Sequence, residues 1–147
     1  MTSMLTSVID HGTGVRAKAL GRPLAVKTGT SNGPKDAWFA GYSTDIAAVV
    51  WIGYDDGHTL GSSEQGAITA LPAWMSFMKA AHEGKPRADF PRPPGVVEVT
   101  VDRRTGELPY PDDDDVMSEV FLAGTEPTAT ATPAPKPSVL ADAAVGE

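Results

Sequence analysis

The string Lys27-Thr28-Gly29-Thr30 sets an ammonium group, two hydroxyls and a residue without a side chain next to one another. On the edge of an extended strand such a set suits an anionic, elongated ligand. Lysine supplies the charge, and glycine lets a second backbone approach closely. A second string, Ser76-Phe77-Met78-Lys79, has the Ser-x-x-Lys spacing of a lysine-assisted serine nucleophile. It falls inside a predicted helix, with Met78 on the apolar stripe, and is expected to be ordinary helix surface. His11, His58 and His82 are far apart, lack metal-ligand spacing, and are expected at the surface. Gly12-x-Gly14-x-x-Ala17 has the glycine spacing of a dinucleotide fingerprint but follows a helix instead of a strand, so no dinucleotide is expected. Asp112 to Asp115 reads as a solvated loop. The chain has no cysteine, which excludes disulfides, thiolate metal sites and a cysteine nucleophile. Neither a metal nor a cofactor is expected.

The elements that must position these residues follow from apolar periodicity. Met1, Met4, Leu5, Val8 and Ile9 recur at helical spacing, which predicts a helix over residues 2–11, stopped at Gly12. Three strands follow, at residues 24–28, 37–42 and 46–54, joined by the turn clusters 31–34 and 43–45. Connections this short make the three an antiparallel meander. The third strand is apolar on both faces and is therefore expected to be central and covered on both sides. Leu71, Trp74, Met75, Met78 and Ala81 predict a second amphipathic helix, with Pro72 in its first turn. Val96 to Val101 alternates as a further strand and turns at 102–106. Trp38, Phe39, Trp51, Tyr54 and Trp74 are expected in the core of sheet and helices instead of forming a carbohydrate platform. Two helices and three strands in 85 residues bury little, so the segment reads as the back end of a larger α/β (α+β) domain.

The 147-residue chain carries a formal charge of -7, which argues against a nucleic-acid partner. Residues 1–85 balance seven acids with seven bases, whereas residues 86–147 hold twelve acids against five bases and ten of the 13 prolines. A boundary is therefore expected near residue 85, followed by an extension over 86–124. Residues 125–147, rich in Pro, Ala and Thr, are expected to form a disordered tail. No stretch approaches a membrane span, and the first residues lack the pattern of a signal peptide.

Taken in order, Lys27-Thr28-Gly29-Thr30, Asp36-Ala37-Trp38-Phe39-Ala40-Gly41-Tyr42 and Val49-Val50-Trp51-Ile52-Gly53-Tyr54-Asp55 resemble the serine transpeptidase domain of penicillin-binding proteins, of the bifunctional class A type. Met1 to Leu5 with Gly12-Thr13-Gly14 and Ala17 resembles the helix before that strand. Leu71-Pro72-Ala73-Trp74 with Phe77-Met78 resembles the last helix. Pro91, Pro93-Pro94-Gly95-Val96 and Phe121 to Pro127 resemble the C-terminal extension, so the likeness covers roughly residues 1–127. It implies the C-terminal portion of a penicillin-binding or serine β-lactamase-like fold, an antiparallel sheet flanked by helices.

The resemblance also implies acyl transfer from the D-Ala–D-Ala end of a peptidoglycan stem peptide, with β-lactams as mimics. Stem peptide or a lipid-linked precursor is then the expected partner. Lys27 would lend positive charge, Thr28 and Thr30 would bond the substrate carboxylate, Gly29 would let substrate lie along the strand, and the Thr30 N–H would serve as an oxyanion donor. The family's Ser-x-x-Lys and Ser-x-Asn motifs lie upstream of Lys-Thr-Gly. Only 26 residues precede Lys27, and no Ser-x-Asn occurs. The nucleophile is thus expected to be absent, the chain inactive alone, and Met1 an internal methionine taken as a start. The parent would work at the periplasmic face of the inner membrane, with a glycosyltransferase domain, anchored through a part lying upstream. Two other readings are a non-catalytic module that binds stem peptide and a piece of a serine β-lactamase-like hydrolase.

Overall fold

The computed structural model describes residues 1–134. Two compact units divide at Arg92 and Pro93. In the first, α1 (Thr2–Asp10) runs free of Gly and Pro until His11. The Gly12 and Gly14 N–H groups then bond back to the Val8 carbonyl, at 3.1 and 3.0 Å. A short 3-10 helix, Val15–Leu20, ends at Gly21, whose φ of 63° favours a residue without Cβ. β1 (Ala25–Thr30), β2 (Asp36–Tyr42) and β3 (Ala47–Gly53) form the expected antiparallel meander in the order β1-β2-β3. A single π-helical turn, Gly66–Ala70, leads into α2 (Leu71–Ala81).

Strand alternation sorts the sheet into two faces. Val26, Phe39, Gly41, Ala48 and Val50 share one face by register, and α2 covers it. Trp74 is wholly buried there, its ring 5.0 Å from that of Phe39 and its Nε1–H donating to the Ala48 carbonyl at 3.0 Å. Gly41 makes that seat possible: a Cβ on it would lie 2.7 Å from the Trp74 ring and from a Val26 methyl. Leu71 and Met78, one turn to either side, complete the buried stripe.

The opposite face departs from expectation. Trp38, Val49 and Trp51 are 44%, 63% and 41% exposed, and among the described residues β3 pairs with β2 alone. The expectation of a central, doubly covered β3 is therefore corrected: nothing described pairs with its outer edge. Trp51 compensates partly by donating Nε1–H to Asp36 at 2.9 Å and lying 6.2 Å from the Trp38 ring. Of the aromatics expected in the core, only Phe39 and Trp74 are buried. Met1 and Met4 are likewise exposed, so Leu5, Val8 and Ile9 carry the inner side of α1.

His82 corrects the expectation of surface histidines. It is buried, with Nδ1 2.7 Å from the Met78 carbonyl and Nε2 2.8 Å from Ser43 Oγ. A carbonyl can only accept, so Nδ1 carries the proton and Nε2 accepts from the serine hydroxyl. Ser43 Oγ in turn accepts the N–H groups of Asp45 and Ile46, both at 3.1 Å. One neutral imidazole thus closes the β2–β3 turn onto the end of α2.

The first unit runs past residue 85. Arg22 donates to the carbonyls of Lys85 and Pro86, and Phe90 packs edge-on against Tyr42, with centroids 5.6 Å apart. The second unit is a hairpin of β4 (Val96–Asp102) and β5 (Val116–Leu122). Its second strand was not anticipated. Residues 125–134, expected within the tail, are placed: Leu108 bridges Thr130, Ala131 is buried, and Arg104 donates to the Thr132 carbonyl at 2.7 Å. The rest of the expected tail lies outside the described residues. Asp112 to Asp115 belong to the segment joining the strands, where Asp115 pairs with Arg103 at 3.0 Å.

Two outcomes follow for stability. Trp74→Ala is expected to cost about 3–5 kcal/mol, because it empties a fully buried site; denaturant unfolding measures this. Burial pushes the Asp102 carboxyl up, but hydrogen bonds from Thr105 and the Arg104 charge outweigh it and hold the group below its ordinary value. A carboxyl depressed by folding stabilises above the unfolded pKa and loses that contribution as pH falls through the folded one. Unfolding of the hairpin is therefore expected to become easier with acidification below the ordinary carboxylate range, and Asp102→Asn to flatten that dependence in melts recorded against pH.

Candidate functional site

The site is built on β1, which has β2 on one side and no strand on the other among the described residues. Ser31 N–H bonds to the Asp36 carbonyl at 3.2 Å. In an antiparallel pair the direction of backbone groups alternates every residue. Gly29 and Lys27, opposite Trp38 and Ala40, therefore turn their N–H and C=O toward β2. Thr28 and Thr30 turn theirs to the open edge.

The side chains gather at the same edge. Lys27 is exposed, and its Nζ donates to the Thr28 carbonyl at 2.8 Å, which lays the ammonium along the strand. The Thr28 and Thr13 hydroxyls lie 2.9 Å apart. The Thr30 hydroxyl accepts the Gly66 N–H at 3.3 Å. Gly29 faces Trp38 across the ladder, and a Cβ there would lie 3.2 Å from the Trp38 Cβ. The edge thus presents outward amides, hydroxyls and one ammonium, and among the described residues no carboxylate pairs with that ammonium. It can hold an extended anionic peptide by strand addition.

Structure brings Lys27, Thr28, Gly29 and Thr30 together and leaves the other candidates apart. Ser76 and Lys79 stand on the outer side of α2, which covers the sheet face opposite the Lys27 side chain. Gly14 packs against β1, where a Cβ would lie 2.7 Å from a Val26 methyl, so close packing explains that glycine. His11 is exposed, and exposed His58 bonds Asp56 beneath the Tyr54 ring. No group of three His, Cys, Asp or Glu among the described residues could hold a metal. No described helix is long and apolar enough to cross a membrane.

Sequence reasoning passes over Thr13 and Gly66. Thr13 sits between two glycines within the stretch likened to a known helix. Gly66 lies in what reads as a polar loop, and only its distance to the sheet reveals it.

An antiparallel sheet with an open edge at Lys27 to Thr30, and with α2 packed on one face, is a piece of a mixed α/β fold. Comparison with known proteins identifies which. Residues 92–135 match the family model described as Penicillin-binding protein 1A, C-terminal domain. Penicillin-binding protein 1A of Pseudomonas aeruginosa is 46% identical over 122 residues, covering 82% of this chain and 15% of that protein. Its counterpart in Escherichia coli is 43% identical over 137 residues, covering 82% and 16%. The crystal structure of penicillin-binding protein 1A from Haemophilus influenzae superposes with a TM-score of 0.79 at 37% identity, covering 89% of this chain and 21% of that one. The chain belongs with the C-terminal part of the class A penicillin-binding proteins, and it spans about a sixth of the length of the relatives it matches.

Gly66 supports the edge through backbone that cannot yield: a Cβ on it would lie 2.2 Å from the Trp38 carbonyl oxygen and 2.8 Å from that of Gly29. Gly66→Ala is expected to destabilise the first unit by about 1–3 kcal/mol or more. Amide exchange at residue 66 is expected to quicken as its bond to the Thr30 hydroxyl is broken, and hydrogen-exchange mass spectrometry reads this directly.

Proposed function

We propose that this chain supplies the substrate-strand wall of a serine D,D-transpeptidase that crosslinks peptidoglycan, and that it performs no acyl transfer alone. The observation that carries this reading is the open edge of β1, where the outward amides of Thr28 and Thr30 meet the Lys27 ammonium. The likeness to penicillin-binding proteins 1A supports it.

The stem peptide would lie along β1, its terminal carboxylate near the Thr28 and Thr30 hydroxyls and the Lys27 charge. A serine from a segment outside this chain would attack the penultimate D-Ala carbonyl. The serine Oγ–carbon bond forms, the C–N bond to the last D-Ala breaks, and that D-Ala leaves with a proton on its amine. The Thr30 N–H would face the oxyanion of the tetrahedral intermediate. An amine of a neighbouring stem then attacks the acyl carbon, forming the crosslink and returning the serine. A β-lactam would present the same carboxylate and carbonyl to the same edge and remain as the acyl adduct. The exposed face with Trp38, Val49 and Trp51 suits cover by the segment that brings the serine. The whole protein would be a membrane-anchored cell-wall synthase with a glycosyltransferase domain, working at the periplasmic side.

Three measurements test this. The purified chain is expected to take up no covalent label from fluorescent penicillin; a penicilloyl adduct on it refutes the inactivity. In membranes of the source cells, one large band should carry both the penicillin label and an antibody raised to this chain. An unlabelled band near 15.3 kDa would instead favour a non-catalytic module that binds stem peptide. Within the intact protein, Lys27→Ala is expected to slow acylation about a hundredfold or more.

A further inference from the structure

We propose that the groove between the 3-10 helix Val15–Leu20 and α2 is a docking site for an acidic peptide segment of a partner protein. The cavity measures about 540 Å³, and its lining includes Arg16, Arg22, Lys79 and Ser76. Leu20 and Met75 supply apolar wall. No carboxylate lines it, although residues 1–85 as a whole are electrically balanced. Glu83 stands on the neighbouring shoulder, beyond Lys79.

The cations are available. Arg16 and Lys79 make no ion pair or hydrogen bond among the described residues. Arg22 directs one terminal nitrogen to the Lys85 and Pro86 carbonyls, at 3.2 and 3.3 Å, which steadies its planar fork and leaves its other N–H groups for a ligand. His82 also lines the cavity, but both its ring nitrogens are engaged, with Ser43 and Met78. Ser76 and Lys79, whose spacing is that of a nucleophile motif, here contribute a hydroxyl and a charge to a binding surface.

Shape selects among anions. A bare phosphate would leave the Leu20 and Met75 wall uncovered, and a flat bilayer surface cannot enter a concavity. A peptide with carboxylates flanking an apolar side chain fills both needs, and guanidinium forks match carboxylates two bonds at a time. The groove lies on the α2 side of the sheet, so a partner bound there leaves the Lys27 face free. The site therefore stands independently of the catalytic reading above.

The test is fluorescence anisotropy on the full chain with a labelled peptide of sequence Glu-Glu-Leu-Glu-Glu-Leu, beside the same peptide with Gln for Glu. Saturable binding to the acidic peptide is expected, weaker at high salt and absent for the Gln peptide. The pair Arg16→Glu and Lys79→Glu is expected to weaken it about tenfold or more. The milder pair Arg16→Gln and Lys79→Gln, with an unchanged melting curve, guards against misfolding and should weaken it as well. Absence of saturable binding, or binding indifferent to these substitutions, overturns the proposal. So does displacement of the peptide by an equal concentration of inorganic phosphate, or tighter cosedimentation with phosphatidylglycerol vesicles that the same substitutions abolish. Those last two results would assign the groove to phosphate or to the membrane surface.

Discussion

The architecture of the first unit hangs on one indole. Trp74 rests on the bare backbone of Gly41, touches Phe39 and bonds the Ala48 carbonyl, so it ties α2 to β2 and β3 at once. Neither half of that contact works without the other. A side chain at position 41 would displace the ring, and a smaller residue at 74 would leave β2 and β3 without a lid. With α2 held there, the π-helical turn before it comes down on β1 and β2, and its first residue reaches Thr30. The geometry of the β1 edge is thus a downstream result of core packing.

The two faces of the sheet divide the work. The α2 side contributes stability, including the closed hydrogen-bond loop of Met78, His82 and Ser43, in which every polar group finds a partner. A buried polar network of this kind favours one arrangement of the chain because any alternative leaves donors or acceptors unmet. The other side is unfinished: two half-exposed tryptophans and a valine lie beside the Lys27 side chain. Exposed apolar area of this sort marks a place where another surface belongs.

Much of this is readable from residue types, and the failures have physical causes. The meander, the stripe of α2 and the Lys-Thr-Gly-Thr strand end follow from periodicity and turn chemistry, which are local. The burial of His82 is not readable, because it depends on a turn 39 residues away in the chain. The strand Val116–Leu122 is hidden by Ser118 and Glu119, which blur its apolar pattern, and it becomes a strand only through pairing with β4. The start expected for the tail falls too early because Thr125 to Ala134 has the composition of disorder, yet Leu108 and Arg104 offer it backbone partners. At the site, Lys27, Thr28, Gly29 and Thr30 are visible as a string. Thr13 and Gly66 are not, since each acts by proximity and neither belongs to a pattern.

The parity of β1 carries a consequence for how such a sequence can change. Its working groups are the backbone amides of alternate residues, and their outward direction is set by counting from the Asp36–Ser31 pairing. Inserting a single residue between Thr30 and Ser31 would preserve every functional side chain in name while turning the outward amides of the motif inward as long as the Ser31–Asp36 pairing holds. Substitutions along this strand are graded in their effect, but changes of length are all-or-none. A lineage can drift in composition here far more freely than it can gain or lose one codon.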